Sequence, residues 1–328
     1  LEALRAGALG FSTSRTPLHR SRSGELVPGT TAGSDELYAI GDALRDAGHG
    51  VFQFAPEHAR VPVDEWPWMR ELARRTGRTV SINLNQPVDA PEVWRDVLRL
   101  LDDAHADGLP IVAQIAGRSI GILQCLEGSV HPLLFHPAYG EIASLPLPER
   151  VAALQDPDRR RRLVEDEPDD GGFFRRVVLD RVSNMYPVDD GAIDYEPDGS
   201  VSVAAIASRT GRRPMDVILD QLLAHDGNGI LYTPFFNYAS GDLSMTYEAT
   251  RHAHTRMGLS DAGAHLTFFN DSGFGLHLLG HWCRERGVLS LPEAIRKLTS
   301  EPAQLFGIRD RGVLRVGAHA DLLLFDPA

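Results

Sequence analysis

The segment GLSDAGAH, residues 258–265, sets a carboxylate, Asp261, directly after a short run that reads as a strand, with an imidazole, His265, four residues on. An aspartate in that place is either a helix cap or turn former or a catalytic carboxylate. A histidine opening the next helix either caps it or orients a substrate. Arg118 follows the apolar run IVAQIAG (111–117) and stands where a bidentate guanidinium can hold a substrate carboxylate, the alternative being a surface ion pair. His131 and His136, in SVHPLLFHPAY, have proline and aromatic neighbours and read as packed rather than metal-binding. Ser12 and Ser14 lack the GxSxG pattern of a nucleophile elbow. Lys297 is the only lysine, which removes Schiff-base and carboxylated-lysine chemistry from nearly the whole chain.

These side chains are spaced along a βα rhythm. GALGFST (7–13), GVFQFAP (50–56), TVSINL (79–84) and IVAQIAG (111–117) read as buried strands, separated by stretches of helical length such as SDELYAIGDALRDAG and APEVWRDVLRLLDDAHADG. Further strands are expected at 175–182, 229–233 and 257–260. Near-continuous apolar strands with helices between them make a parallel sheet, doubly wound or closed into a (β/α) barrel, with functional side chains gathered at the carboxyl ends of the strands. Two segments break the rhythm. Residues 118–174 are long and irregular, as lids and binding loops are, and their charged part, DRRRRLVEDEPDD, reads as a solvated helix face. The ending RGVLRVGAHADLLLFDPA reads as a hairpin.

Composition narrows the class. The chain has 328 residues, 43% hydrophobic and 24% charged, ordinary for a globular protein with a sizeable core. A formal net charge of −12 excludes a nucleic-acid partner, which would draw on clustered Lys and Arg. Cys125 and Cys283 form no CxxC spacing and point to a reducing, cytoplasmic setting. No apolar stretch is long enough to span a bilayer, so no membrane partner is expected.

The SDAGAH turn, the helix LPEAIRKLTSEPAQLFGI, the ending RGVLRVGAHADLLLFD and the opening AGALGFSTSRT together resemble the amidohydrolase superfamily, in its D-aminoacylase (N-acyl-D-amino-acid deacylase) branch. The resemblance implies an α/β fold: part of a metal-dependent (β/α)8 barrel over residues 1–308, with an insertion at 118–174, and strands of a small β-sandwich domain over residues 309–328. It implies hydrolysis of a non-peptide C–N bond, with the N-acyl group of a D-amino acid as the favoured substrate and a homo-oligomer as a possible assembly. The matching position makes Asp261 both metal ligand and general base, since a divalent cation brings its bound water toward neutral pKa and a carboxylate in reach can move the proton. Arg118, His265, Asn83 and Gln53 are carried as substrate-binding residues.

The chain departs from the branch in two places. No His-x-His pair follows an early strand, which puts that pair upstream of this chain, and this piece alone is then expected to be inactive because a half barrel leaves open edges. The HAH at 252–254 falls on an expected helix, where the two imidazoles would diverge. Histidines of the branch end the fifth and sixth strands, where this chain offers Gln53, Asn83 and Asn85. Amides are poor zinc ligands, so one divalent metal, zinc in the first place, is expected rather than two. The alternatives are a cyclic amidase of the dihydropyrimidinase or dihydroorotase kind and a degenerate barrel that binds a small molecule without catalysis.

Overall fold

The computed structural model describes residues 1–21, 23–189, 192–258, 260, 269–270 and 272–326. In chain order the strands are β1 (Gly10–Ser14), β2 (Val51–Ala55), β3 (Val80–Asn83), β4 (Ile111–Ile115), β5 (Ile120–Gln124), β6 (Tyr186–Val188), β7 (Ile230–Phe236), β8 (Thr255–Met257) and β9 (Phe269–Asn270). The longer helices are α1 (Ser34–Ala47), α2 (Trp66–Thr76), α3 (Val93–Ala106), α4 (Leu147–Gln155), α5 (Pro157–Glu165), α6 (Gly172–Val178), α7 (Val203–Thr210), α8 (Pro214–Gly227), α9 (Ser244–Arg251), α10 (Leu291–Leu298) and α11 (Ser300–Leu305). The chain divides into two compact units, Leu1–Gly117 with Ser244–Ser260 and Gly273–Ala328, and Arg118–Leu243 with Asp261–Ser272. Among the described residues no helix is long and apolar enough to cross a membrane.

The first unit holds a five-stranded sheet in the order β1-β2-β3-β4-β8, parallel throughout. The expected βα repeats at its start form where the sequence places them, because each helix has a stop and a face. α1 ends on Gly48 and α2 on Gly77, both left-handed (φ 75° and 62°), the conformation that satisfies the last carbonyls and that glycine adopts without strain. α3 turns Trp94, Val97, Leu98, Leu101 and Ala104 to the interior at a spacing of three to four residues. Phe52, Phe54, Val80, Ile82, Ile111 and Ala113 are fully buried in the strands. Gly10 lets β1 approach β2, since a Cβ there would stand 2.1 Å from the Val51 carbonyl oxygen.

The second unit corrects the reading of 118–174 as an irregular loop. Its first residues form β5, which pairs antiparallel with β7 and β9, while β6 pairs antiparallel with β7. The strand expected at 229–233 therefore sits in an antiparallel sheet. The signal for β5 is weak because Gly121 interrupts it; that glycine lies under the Tyr232 ring, where a Cβ would be 1.9 Å from a ring carbon. The strand expected at 175–182 is instead the end of α6 and a following turn; α6 starts at Gly172 behind a turn in which the Asp170 carboxylate accepts from Gly172 N at 3.0 Å. Leu133, Leu154, Leu163, Val203, Ile218 and Leu222 form a separate core beneath α4, α5, α7 and α8. The arginine run in α5 is more than a solvated face: Arg159 and Arg162 bind Glu141, and Arg160 binds Asp220 of α8 at 2.8 Å.

Residues 309–326 contain no strand, against the expected hairpin. Leu314, Val316, Leu323 and Leu324 are 83–104% exposed, and a hairpin without a third strand or a cover has little to hold it.

Candidate active site

Each of the four leading strands carries polar residues: Ser12, Thr13 and Ser14 in β1, Gln53 in β2, Ser81 and Asn83 in β3, and Gln114 in β4. The parallel register sets Ser12 beside Gln53, Gln53 beside Ser81, and Asn83 beside Gln114. Register partners share a face of a sheet, so these side chains form one polar row toward the carboxyl ends of β1 to β4, opposite the buried Phe52, Phe54 and Ile82. They are hydrogen-bonded in sequence. Ser12 Oγ donates to Gln53 Oε1, and Gln53 Nε2 donates to Asn83 Oδ1 at 2.9 Å. Gln114 Nε2 donates to Ser81 Oγ at 2.8 Å.

Two titratable residues follow β2 directly. His58 has Nε2 3.3 Å from Asn85 Nδ2 and a hydrogen bond with the Asn83 backbone; burial pushes its pKa down to about 4, so the ring is neutral at neutral pH. Burial raises the Glu57 carboxyl, with Asp89 adding to the effect. Oppositely displaced neighbours of this kind mark functional sites. Arg15, immediately after β1, reaches Glu65 Oε2 at 3.2 Å and the Ala32 carbonyl at 2.6 Å, and Trp68 Nε1 donates to the same Glu65 oxygen at 2.6 Å. That buried group ties the segment after β1 to α2. Sequence reasoning missed Ser12 as a partner of Gln53, and missed His58, Glu57 and Arg15; the lone glutamines of the apolar β2 and β4 were the signal available.

Of the expected site residues, Gln53 and Asn83 are brought into contact. Asp261 and His265 lie outside the described residues. Arg118 belongs to the second unit, where it is 2% exposed, donates to the carbonyls of Ser119 (2.9 Å) and Ser272 (2.5 Å), and lies 4.0 Å above the Tyr195 ring. It is therefore buried and not a surface residue. His131 and His136 are packed in the same unit, 1% and 4% exposed. His252 and His254 correct the expectation of a diverging helical pair, because α9 stops at Arg251. Their Nε2 atoms both turn to Asp102 Oδ1, at 3.2 and 3.6 Å, and His254 stacks on His105 at 3.5 Å between ring centres.

The amides Gln53 and Asn83 do not fit zinc, which favours imidazole and thiolate over a carboxamide. Gln53 Oε1 already accepts from Ser12, Asn83 Oδ1 already accepts from Gln53, and an amide nitrogen has no lone pair to offer. Among the described residues no group of three or more His, Cys, Asp or Glu is placed to hold a metal ion.

The model of the Amidohydrolase family matches residues 1–328. The chain belongs to that family. An uncharacterized protein of Mycobacterium tuberculosis is 29% identical over 354 residues, covering 99% of this chain and 54% of that protein. An N-acyl-D-aspartate deacylase of Alcaligenes xylosoxydans xylosoxydans is 56% identical over 45 residues, 14% of this chain and 9% of that enzyme. Among solved structures, N-acyl-D-glutamate deacylase from Bordetella bronchiseptica, complexed with zinc and a phosphonate inhibitor, superposes with a TM-score of 0.55 at 21% identity, over 99% of this chain and 55% of that one. The fold is thus of the α/β amidohydrolase kind, and the chain spans about half the length of the relatives it matches along its whole length.

Proposed function

We propose that the protein hydrolyses a non-peptide C–N bond and that its substrate is an N-acyl-D-amino acid or a related N-acyl amine. The observation that carries this reading is the polar row at the carboxyl ends of β1 to β4, in a chain of the Amidohydrolase family. Functional side chains of parallel α/β folds gather at that end. Local identity to a deacylase of N-acyl-D-aspartate, and likeness of fold to one of N-acyl-D-glutamate, support the acyl-amino-acid substrate.

In this proposal Asp261 is the general base and the ligand of a single divalent cation, zinc in the first place. Gln53 and Asn83 contact the substrate, Arg118 holds its carboxylate, and His265 orients it. The assignment of residues 1–308 to a barrel and 309–328 to a sandwich, a cytoplasmic location and a homo-oligomeric state are parts of the same proposal; Cys125 and Cys283, both free thiols, fit a reducing compartment. The cyclic-amidase reading loses support because the one lysine, Lys297, sits on helix α10 and not at a strand end. The non-catalytic reading draws on the amide chain at β2 and β3.

The test is turnover of N-acetyl-D-amino acids, with the L-forms as controls, by the metal-loaded full-length enzyme and its Asp261→Asn variant. Loss of about 100-fold or more in kcat/KM is expected. Equal rates in the two proteins would refute the role of Asp261.

A further inference from the structure

We infer that the Ser12–Gln53–Asn83 chain is a site for an oxygen acceptor, a carboxylate or a carbonyl, and has the opposite polarity to a metal site. This deepens the proposed function, since it rests on placing Gln53 and Asn83 in the substrate site. The inference comes from the direction of the hydrogen bonds. Ser12 Oγ donates to Gln53 Oε1, which places that oxygen on the Ser12 side and Gln53 Nε2 on the side of β3. That nitrogen donates to Asn83 Oδ1 at 2.9 Å, which fixes the second amide in the same sense.

Each carbonyl oxygen therefore faces a donor within the chain. One N–H of Gln53 and both N–H groups of Asn83 Nδ2 donate to no described side chain or backbone group. Both residues are half-buried, so these donors border the open face of the sheet. The neighbouring pair runs the opposite way, from β4 into β3, with Gln114 Nε2 donating to Ser81 Oγ, so the donor row is the Ser12–Gln53–Asn83 chain alone. The Asn85 amide is engaged separately, at the neutral ring of His58. A row ending in N–H groups attracts an oxygen lone pair and repels a cation, whose ligands must present lone pairs.

The experiment uses the whole chain labelled with ¹⁵N at Gln and Asn side chains, in an Asp261→Asn background. That background silences any cation at Asp261, so failure of the catalytic reading leaves the result unchanged. The side-chain NH₂ signals of Gln53 and Asn83 are followed during titration with acetate, with acetamide and with cobalt(II). Saturable shifts with acetate assign a carboxylate, shifts with acetamide alone assign a neutral carbonyl, and either supports the donor row.

Asn83→Asp keeps the shape and replaces the donor by an acceptor. It is expected to weaken acetate binding about tenfold or more and to make the Gln53 signal sensitive to cobalt(II). Asn83→Ala is expected to lose acetate without gaining cobalt, which separates polarity from misfolding. Stoichiometric cobalt broadening of Gln53 and Asn83 with the native residues in place would overturn the inference. So would acetate affinity that Asn83→Asp leaves unchanged, or no response to either oxygen ligand.

Discussion

Acid should weaken the second unit through His131. The ring is 1% exposed, meets the Tyr139 ring edge-on at 4.9 Å between centres, and has no described partner for Nδ1. Burial pushes its pKa from 6.5 down to about 4, and the Arg150 guanidinium adds to the effect. Above pH 6.5 the ring is neutral in both folded and unfolded chains and contributes nothing. As pH falls from 6.5 toward 4, the unfolded chain binds a proton that the folded chain excludes, so stability is lost. At about 1.4 kcal/mol per pH unit, the loss reaches about 2 kcal/mol at pH 5 and about 3 kcal/mol at pH 4. His131→Leu binds no proton in either state. The difference between variant and native protein should therefore widen by about 2 kcal/mol between pH 7.5 and pH 5. All four tryptophans, Trp66, Trp68, Trp94 and Trp282, lie in the first unit, so their emission does not report on the second. Hydrogen exchange at the amides of β5 and β7, compared between the two proteins at each pH, reads the right unit. A difference that stays constant over this range would refute the argument.

Two further outcomes follow from packing and charge. Phe54 is fully buried against the Trp68 ring, 4.9 Å between centres, and Phe54→Ala should cost about 3–5 kcal/mol, read as a lower urea midpoint by tryptophan emission. Glu141 is held by Arg159 and Arg162, which lower its pKa to about 2; this contribution is present above the ordinary carboxylate range and is lost as pH falls through 2. Glu141→Gln should raise exchange in α5 by roughly two- to fivefold at low salt, and the effect should shrink in about 0.5 M salt, where surface pairs are screened.

The four opening βα units were legible because their signals are local. Apolar strands, helical periodicity and glycine stops act within a few residues, and β1 to β4 form within two or three residues of the expected bounds. What failed was set by a distant partner in one case and by element boundaries in the others. β5 carries a glycine that reads as a break until Tyr232 is laid over it, and the strand expected at 175–182 yielded to α6, which starts at Gly172. His252 and His254 looked divergent only while they were assigned to a helix that in fact stops one residue earlier.

The sequence by itself determined the family, the βα rhythm and the presence of the amides Gln53 and Asn83 in β2 and β3. Those are matters of residue type and short-range spacing. Only the tertiary structure decided that Ser12, Gln53 and Asn83, 41 and 30 residues apart, form one hydrogen-bonded chain with a direction. A carboxamide carries donor and acceptor at equal reach, so which one it shows the ligand depends on the neighbour that the parallel register supplies.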